Sequence, residues 1–258
     1  MASISPAELR AALDRDGFVR IPHAFTLSEV EHFRAACQRT VAAARNGQWK
    51  YLRTLPKQFP PWNVEDVSET GIFKADLVME LYNMLVTPHY DWSLRWHRDD
   101  IGPDVNPEEE LERLQEPMLH AQWNLALYED QSLIVVPGSH KRARTPMERA
   151  ADPYEDDMPG QLAVKVYPGD IVFYNNNILH RGVYDSSIER MTLHGTMGMK
   201  GSDPARARNI LQHGIGKWAA QCDFHALPAD TAKLAEDMKQ RLLQMGSGDD
   251  VGYSQQDP

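Results

Sequence analysis

The chain has 258 residues, 42% of them hydrophobic and 25% charged, which is enough apolar material for one sizeable core and too ordinary a balance for disorder. A formal charge of -10 excludes the basic footprint that nucleic acid or an anionic membrane surface demands, and it leaves small molecules as the expected partners. Two distant cysteines, Cys37 and Cys222, exclude a disulfide framework, and the lack of a charged-then-apolar leader or of a long apolar run points to a cytoplasmic protein with no membrane partner.

Ser5, Pro6 and Glu8 form a capping box with proline at the first helical position, Leu9 and Leu13 follow at helical spacing, and Gly17 is a stop. Residues 18–21 read as a strand. Thr26 with Glu29 then opens a longer helix carrying Val30, Phe33, Cys37 and Val41 on one stripe, ended by Gly47. From 49 to 73 the period is lost and aromatics and prolines crowd together (Tyr51, Phe59, Pro60, Pro61, Trp62), a composition suited to a hydrophobic pocket wall. Residues 76–86, with Leu77, Leu81, Met84 and Leu85, predict a helix with one buried face.

Short β-type segments follow at 91–98, 120–128, 133–136, 161–166, 171–174, 178–183 and 190–197, separated by Pro-Gly, Asn and Gly-Asp turn signals. Such a run predicts a barrel or a double-sheet roll. Two insertions, an acidic helical one at 107–115 and a polar one at 142–159, are expected outside the barrel. Helical sequence returns beyond Gly201, with Leu234, Met238, Leu242 and Leu243 on a stripe, and a flexible polar tail is expected over 246–258. The expected organisation is a single domain over 1–245: a helical part to residue 90, a β core over 91–200, and helices over 201–245.

His97-Arg98-Asp99 ends a predicted strand, and because strand side chains alternate, His97 and Asp99 share a face while Arg98 points away. The same parity favours Asp99 over its neighbour Asp100. His180 lies on another predicted strand, after the apolar residues 171–173. Two imidazoles and one carboxylate on one face of a metal, with open positions opposite, is the arrangement of Fe(II) oxygenases. Arg190 and Thr192 open the next β-type stretch on one face and suit a carboxylate, since the guanidinium presents a planar fork and the hydroxyl adds a donor. His120 and His194 are rival ligands on predicted strands, but neither has a carboxylate two residues away; His140 ends a Pro-Gly-Ser turn and reads as structural.

These residues together resemble the phytanoyl-CoA dioxygenase-like 2-oxoglutarate oxygenases. The resemblance runs from Gly17-Phe18-Val19 to Thr196 and rests on His97-Arg98-Asp99, the Val136-Pro137-Gly138-Ser139-His140 turn, Pro168-Gly169-Asp170, His180 and Arg190 in that order. It implies a mainly β fold with flanking helices around a double-stranded β-helix (jelly-roll, cupin-like) core. It implies Fe(II) held by His97, Asp99 and His180, and the cosubstrate 2-oxoglutarate held at its far carboxylate by Arg190, with Thr192 beside it and Trp123 adjacent. The family's Asn-Gly-Pro-Leu turn is replaced by Asp130-Gln131-Ser132-Leu133, so that turn is expected to be rebuilt.

The activity so implied is oxidation, by default hydroxylation, of a C–H bond of a hydrophobic small molecule with O₂, releasing succinate and CO₂, as in secondary metabolism. A cupin-like Zn or Mn isomerase or hydrolase, or a barrel without catalysis, would share the fold but gives no reason for Arg190. Oligomeric state leaves no mark in the sequence.

Overall fold

The Ser5 hydroxyl accepts from the backbone N–H of Glu8 while the Glu8 carboxylate accepts from the N–H of Ser5, so the first helix, α1 (Pro6–Asp16), starts where its capping box dictates. Thr26 and Glu29 do the same for α2 (Leu27–Arg45), which buries Val30, Cys37 and Val41. The computed structural model describes residues 4–48, 58–59, 77–117, 119–212, 214–249 and 251. Most of the aromatic stretch 49–73 lies outside the described residues.

The described residues form ten strands: β1 (Phe18–Ile21), β2 (Gln58–Phe59), β3 (Leu77–Val86), β4 (Trp92–Ser93), β5 (His120–Ala126), β6 (Leu133–Val135), β7 (Leu162–Ala163), β8 (Ile171–Tyr174), β9 (His180–Tyr184) and β10 (Met191–Met199). They form two sheets, of order β1-β8-β5-β10-β3-β2 and β4-β9-β6-β7, in which every pairing is antiparallel. The result is a double-stranded β-helix with flanking helices. Leu133 and Val135 of the smaller sheet pack on Ala126, Val172 and Tyr174 of the larger one to make the interior core.

The helix expected over 76–86 is instead β3, and β strands of the larger sheet therefore begin well before residue 91. Its near-continuous apolar run satisfies a helical spacing by coincidence, because a strand paired on both sides and covered on both faces loses the polar alternation that marks an exposed one. Its register with β10 slips between Thr196 and Met197, leaving Glu80 as the extra residue. That bulge turns the Glu80 carboxylate into the protein, where Gly198 makes room: a Cβ there would stand 2.1 Å from Glu80 Oε1.

Register also sorts the faces. Thr192, His194 and Thr196 of β10 lie opposite Ala126, Asn124 and Gln122 of β5, on the interior face. Trp123, Leu125 and Leu193 point outward and pack with Val30, Cys37 and Val41 under α2. The C-terminal helices α5 (Pro204–Gln212) and α6 (Ala229–Met245) bury Ala207, Ile210, Met238 and Leu242 against Val78 of β3. Between the strands sit α3 (Pro107–Gln115) and α4 (Pro146–Ala150). Of the expected tail, Val251 hydrogen bonds Gln212 through both its N–H and its C=O, each at 2.8 Å. Among the described residues no helix is long and apolar enough to cross a membrane.

Candidate metal centre

His97 and His180 are drawn together by their own backbones: each N–H donates to the other's C=O, at 3.0 and 3.1 Å. The rings follow, with centroids 4.3 Å apart. His97 Nδ1 lies 2.8 Å from the carbonyl of Arg95, and His180 Nδ1 lies 2.8 Å from the carbonyl of Ile178. A carbonyl only accepts, so a neutral ring carries its proton on Nδ1 and turns the lone-pair nitrogen Nε2 toward Asp99. Asp99 Oδ1 stands 3.4 Å from His97 Nε2 and 3.6 Å from His180 Nε2.

Among the described residues these three are the one group whose His, Cys, Asp or Glu donor atoms converge as a metal site, all within 4.8 Å of one another. Donors about 2.1 Å from one ion and at right angles lie roughly 3 Å apart, and the two carboxylate–imidazole separations stand within about half an ångström of that. The donor types fit ferrous iron, two imidazoles and one hard carboxylate, with the positions opposite left open.

Electrostatics prepare the same state. Burial and the neighbouring His97 ring push His180 down to about 4, which keeps it neutral and able to ligate. Burial would raise Asp99, but the Arg206 guanidinium and the two imidazoles outweigh it and hold the carboxyl well below its ordinary range. Asp100 goes the other way: burial raises it despite Arg206. The two shifts are opposite in sign, and Asp99, on the same strand face as His97, is the one whose ionised form its surroundings favour.

Arg206 of α5 was not singled out from sequence. Its Nη1 donates to Asp99 Oδ2 at 2.8 Å and its Nη2 to Gln122 Oε1 at 2.8 Å, while its Nε faces Glu80 Oε2 at 3.4 Å. Glu80 in turn bonds His120 Nδ1 at 2.7 Å and Thr196. One guanidinium thus faces the carboxyls of Asp99, Glu80 and, from Nη1 at 3.5 Å, Asp100, a set of acids that a divalent cation would help to balance. Two arginines in the first eight residues of a helix carry no sequence mark of which one is buried.

Arg98 points away from the metal ligands, as expected, and is fully buried. Its Nε donates to Glu110 Oε1 at 2.7 Å, and Glu110 also takes Arg144 at 2.9 Å and Arg149. The acidic insertion, expected to stand apart, therefore reaches back to the residue between two ligands. The polar insertion does likewise: Trp96 Nε1 donates to Glu155 O at 2.8 Å, and Arg181 Nη1 donates to the carbonyls of Tyr154 and Glu155 at 2.7 Å.

The remaining residues divide. Arg190 and Thr192 meet, Arg190 Nη2 donating to Thr192 Oγ1 at 2.9 Å, and Arg190 also forms a two-pronged ion pair with Asp130. The guanidinium lies 4.8 Å over the ring of Tyr184, which is four residues beyond His180 on β9 and so about 13 Å of strand away. Trp123 is not brought to this site. It packs outward under α2, a core aromatic, because strand parity gives the interior positions to Gln122 and Asn124. His120 is engaged by Glu80 and His194 by Asn124, at 2.6 Å, so neither rival joins the cluster. His140 Nε2 holds the carbonyl of Asp14 at 2.9 Å, and the preceding Gly138 turns with φ +75°.

The family model for phytanoyl-CoA dioxygenase (PhyH) matches residues 13–190. The chain belongs to the phytanoyl-CoA dioxygenase family. As a member it is an Fe(II)/2-oxoglutarate-dependent dioxygenase-type enzyme, and its iron and cosubstrate are those of the family. Among solved structures it is similar to EctD from S. alaskensis with 2-oxoglutarate and 5-hydroxyectoine (18% identity, 77% of each chain, TM-score 0.56). It is also similar to HygX from Streptomyces hygroscopicus with nickel, 2-oxoglutarate and hygromycin B (19% identity, 77% of this chain and 88% of that one, TM-score 0.54). A third is SnoN, a non-haem alpha-ketoglutarate-dependent epimerase from nogalamycin biosynthesis (16% identity, 75% and 80% of the chains, TM-score 0.51). At such identities the likeness establishes the fold. No curated protein matches the chain.

Proposed function

We propose that this dioxygenase inserts oxygen into a C–H bond of a small molecule, with Fe(II) held by His97 Nε2, Asp99 Oδ1 and His180 Nε2 and with 2-oxoglutarate anchored at its far carboxylate by Arg190 and Thr192. The observation that carries this reading is the convergence of two Nε2 atoms, on rings whose Nδ1 atoms bond backbone carbonyls, on one oxygen of an ionised carboxylate. When bound, iron with 2-oxoglutarate and O₂ supplies the oxidant, the cosubstrate leaving as succinate and CO₂ and one oxygen atom passing to the substrate.

The protein's part is positioning. Arg206 engages Asp99 Oδ2, so the carboxylate offers its other oxygen and ligates through one atom, which keeps coordination positions open. The apolar wall of Leu133, Val135, Val172 and Ile178 excludes water from the barrel interior. In this reading residues 1–245 act as a single domain, since Arg206 reaches the centre from beyond the β core.

The hydrophobic substrate expected from residues 49–73 rests on a segment of which only 58–59 are among the described residues. A polar substrate is favoured by the likeness to EctD and HygX, which were solved with 5-hydroxyectoine and hygromycin B. The test is a screen of polar and apolar small molecules with Fe(II), 2-oxoglutarate and O₂, following succinate and product mass. A hydroxylated product should appear with an equal amount of succinate, and Asp99→Ala should abolish both; product without succinate contradicts the proposal.

A further inference from the structure

We infer that Asp130 is a positioning residue for the cosubstrate: it locks one edge of the Arg190 guanidinium and so sets how far, and with which nitrogen, Arg190 reaches toward a dicarboxylate. The inference rests on the proposed cosubstrate role of Arg190. A guanidinium has five N–H donors. Arg190 Nε donates to Asp130 Oδ1 at 3.0 Å, and Nη2 donates to Asp130 Oδ2 at 3.1 Å and to Thr192 Oγ1 at 2.9 Å. Three donors are thereby used. The two on Nη1 are buried and have no partner, on a residue only 4% exposed. A buried cationic donor left open is costly, and an anion is what satisfies it.

Thr192 Oγ1 accepts from Arg190, so its own hydrogen remains free to donate. Nη1 and the Thr192 hydroxyl together can therefore hold the two oxygens of a ligand carboxylate without displacing Asp130. Asp130 is held in its turn: Ser132 Oγ donates to Oδ2 at 2.9 Å, and the Asp130 backbone exchanges hydrogen bonds with Val166 at 3.0 and 2.9 Å. These residues are the Asp130-Gln131-Ser132 turn that replaces the family's Asn-Gly-Pro-Leu.

What Asp130 prevents is visible beside it. A cavity of about 620 Å³, lined by Tyr128, Asp130, Ile134, Tyr184 and Arg190 among others, adjoins the ion pair. Without the carboxylate, the guanidinium has that space to swing into, away from Thr192. The long side chain would then lose its fixed reach, and the loss would be felt only by ligands that have a distal carboxylate.

The experiment is an anaerobic titration of the iron-loaded full chain, following visible charge-transfer absorbance, with 2-oxoglutarate and with pyruvate, a 2-oxo acid that lacks the distal carboxylate. Asp130→Asn should weaken 2-oxoglutarate by about tenfold or more and leave pyruvate and iron affinity unchanged. Ser132→Ala, a milder change, should weaken 2-oxoglutarate several-fold in the same selective way, and it carries the test if Asp130→Asn does not fold. Tighter or unchanged 2-oxoglutarate binding would overturn the inference, the former by making Asp130 a competitor for Arg190. So would an equal loss of both acids, which marks a general structural effect. A wild-type protein that does not prefer 2-oxoglutarate to pyruvate, or gives no absorbance band with it, sinks the role of Arg190 itself and this inference with it. That outcome is distinct from failure at Asp130 alone, where the wild type discriminates and the variant does so equally well.

Discussion

A histidine gives a metal one nitrogen most readily when the other is hydrogen-bonded elsewhere, and both histidines proposed as ligands bond Nδ1 to the carbonyl two residues back. Strand parity paired His97 with Asp99, and the order of His180 and Arg190 along the chain, as in the resembled family, completed the candidate set; the fold brings the first three together and sets Arg190 beside Thr192. Replacement of Arg190 by Ala should raise the 2-oxoglutarate requirement by at least thirtyfold, corresponding to about 2–5 kcal/mol for a broken buried charge pair, while iron affinity measured anaerobically stays the same. Loss of iron with cosubstrate affinity intact would reverse the assigned roles. Trp123→Phe should leave 2-oxoglutarate affinity within about twofold and lower only thermal stability, since the ring lies in the core under α2. Glu80 and Arg206 escaped sequence reasoning because they act on partners far along the chain, and Asp130 was marked only as part of a rebuilt turn, not as the partner of Arg190.

At the scale of elements, β3 was obscure because covered faces remove polar alternation, while β10, itself largely buried, was readable from its β-type residues and its place in the run of strands. The insertions show the converse: α3 was placed correctly as a helix, yet the function of its one buried acid depends on three arginines from elsewhere. Glu110 is buried with Arg98, Arg144 and Arg149, so removing it leaves uncompensated charge inside the protein. Glu110→Ala should cost about 3–5 kcal/mol, or roughly 6–20 °C of melting temperature. It should also weaken iron binding, because Arg98 lies between His97 and Asp99. A variant as stable as wild type would show that this cluster does not hold the ligand loop.

At the scale of the whole molecule, acid should unfold the metal-free protein early. His180 in the fold is held near 4, below the roughly 6.5 of an unfolded histidine, so the unfolded chain binds more protons between those values. Stability conferred by the neutral ring is complete above about pH 6.5 and declines as pH falls toward 4. Melting curves of the metal-free protein at pH 7 and pH 4.5 should show the drop, and His180→Gln should flatten it; a pH-independent melting temperature would contradict the burial of a neutral His180. The jelly roll itself was foreseeable from the succession of short strands and turns, whereas the way α5 returns a cation to the metal centre depends on how the chain closes around the barrel.

The most direct measurement is anomalous diffraction at the iron edge from anaerobically Fe(II)-loaded crystals. The account predicts one peak within about 2.3 Å of His97 Nε2, Asp99 Oδ1 and His180 Nε2 together. A peak that excludes any of the three, or that includes Asp100, His120 or His194, would contradict it.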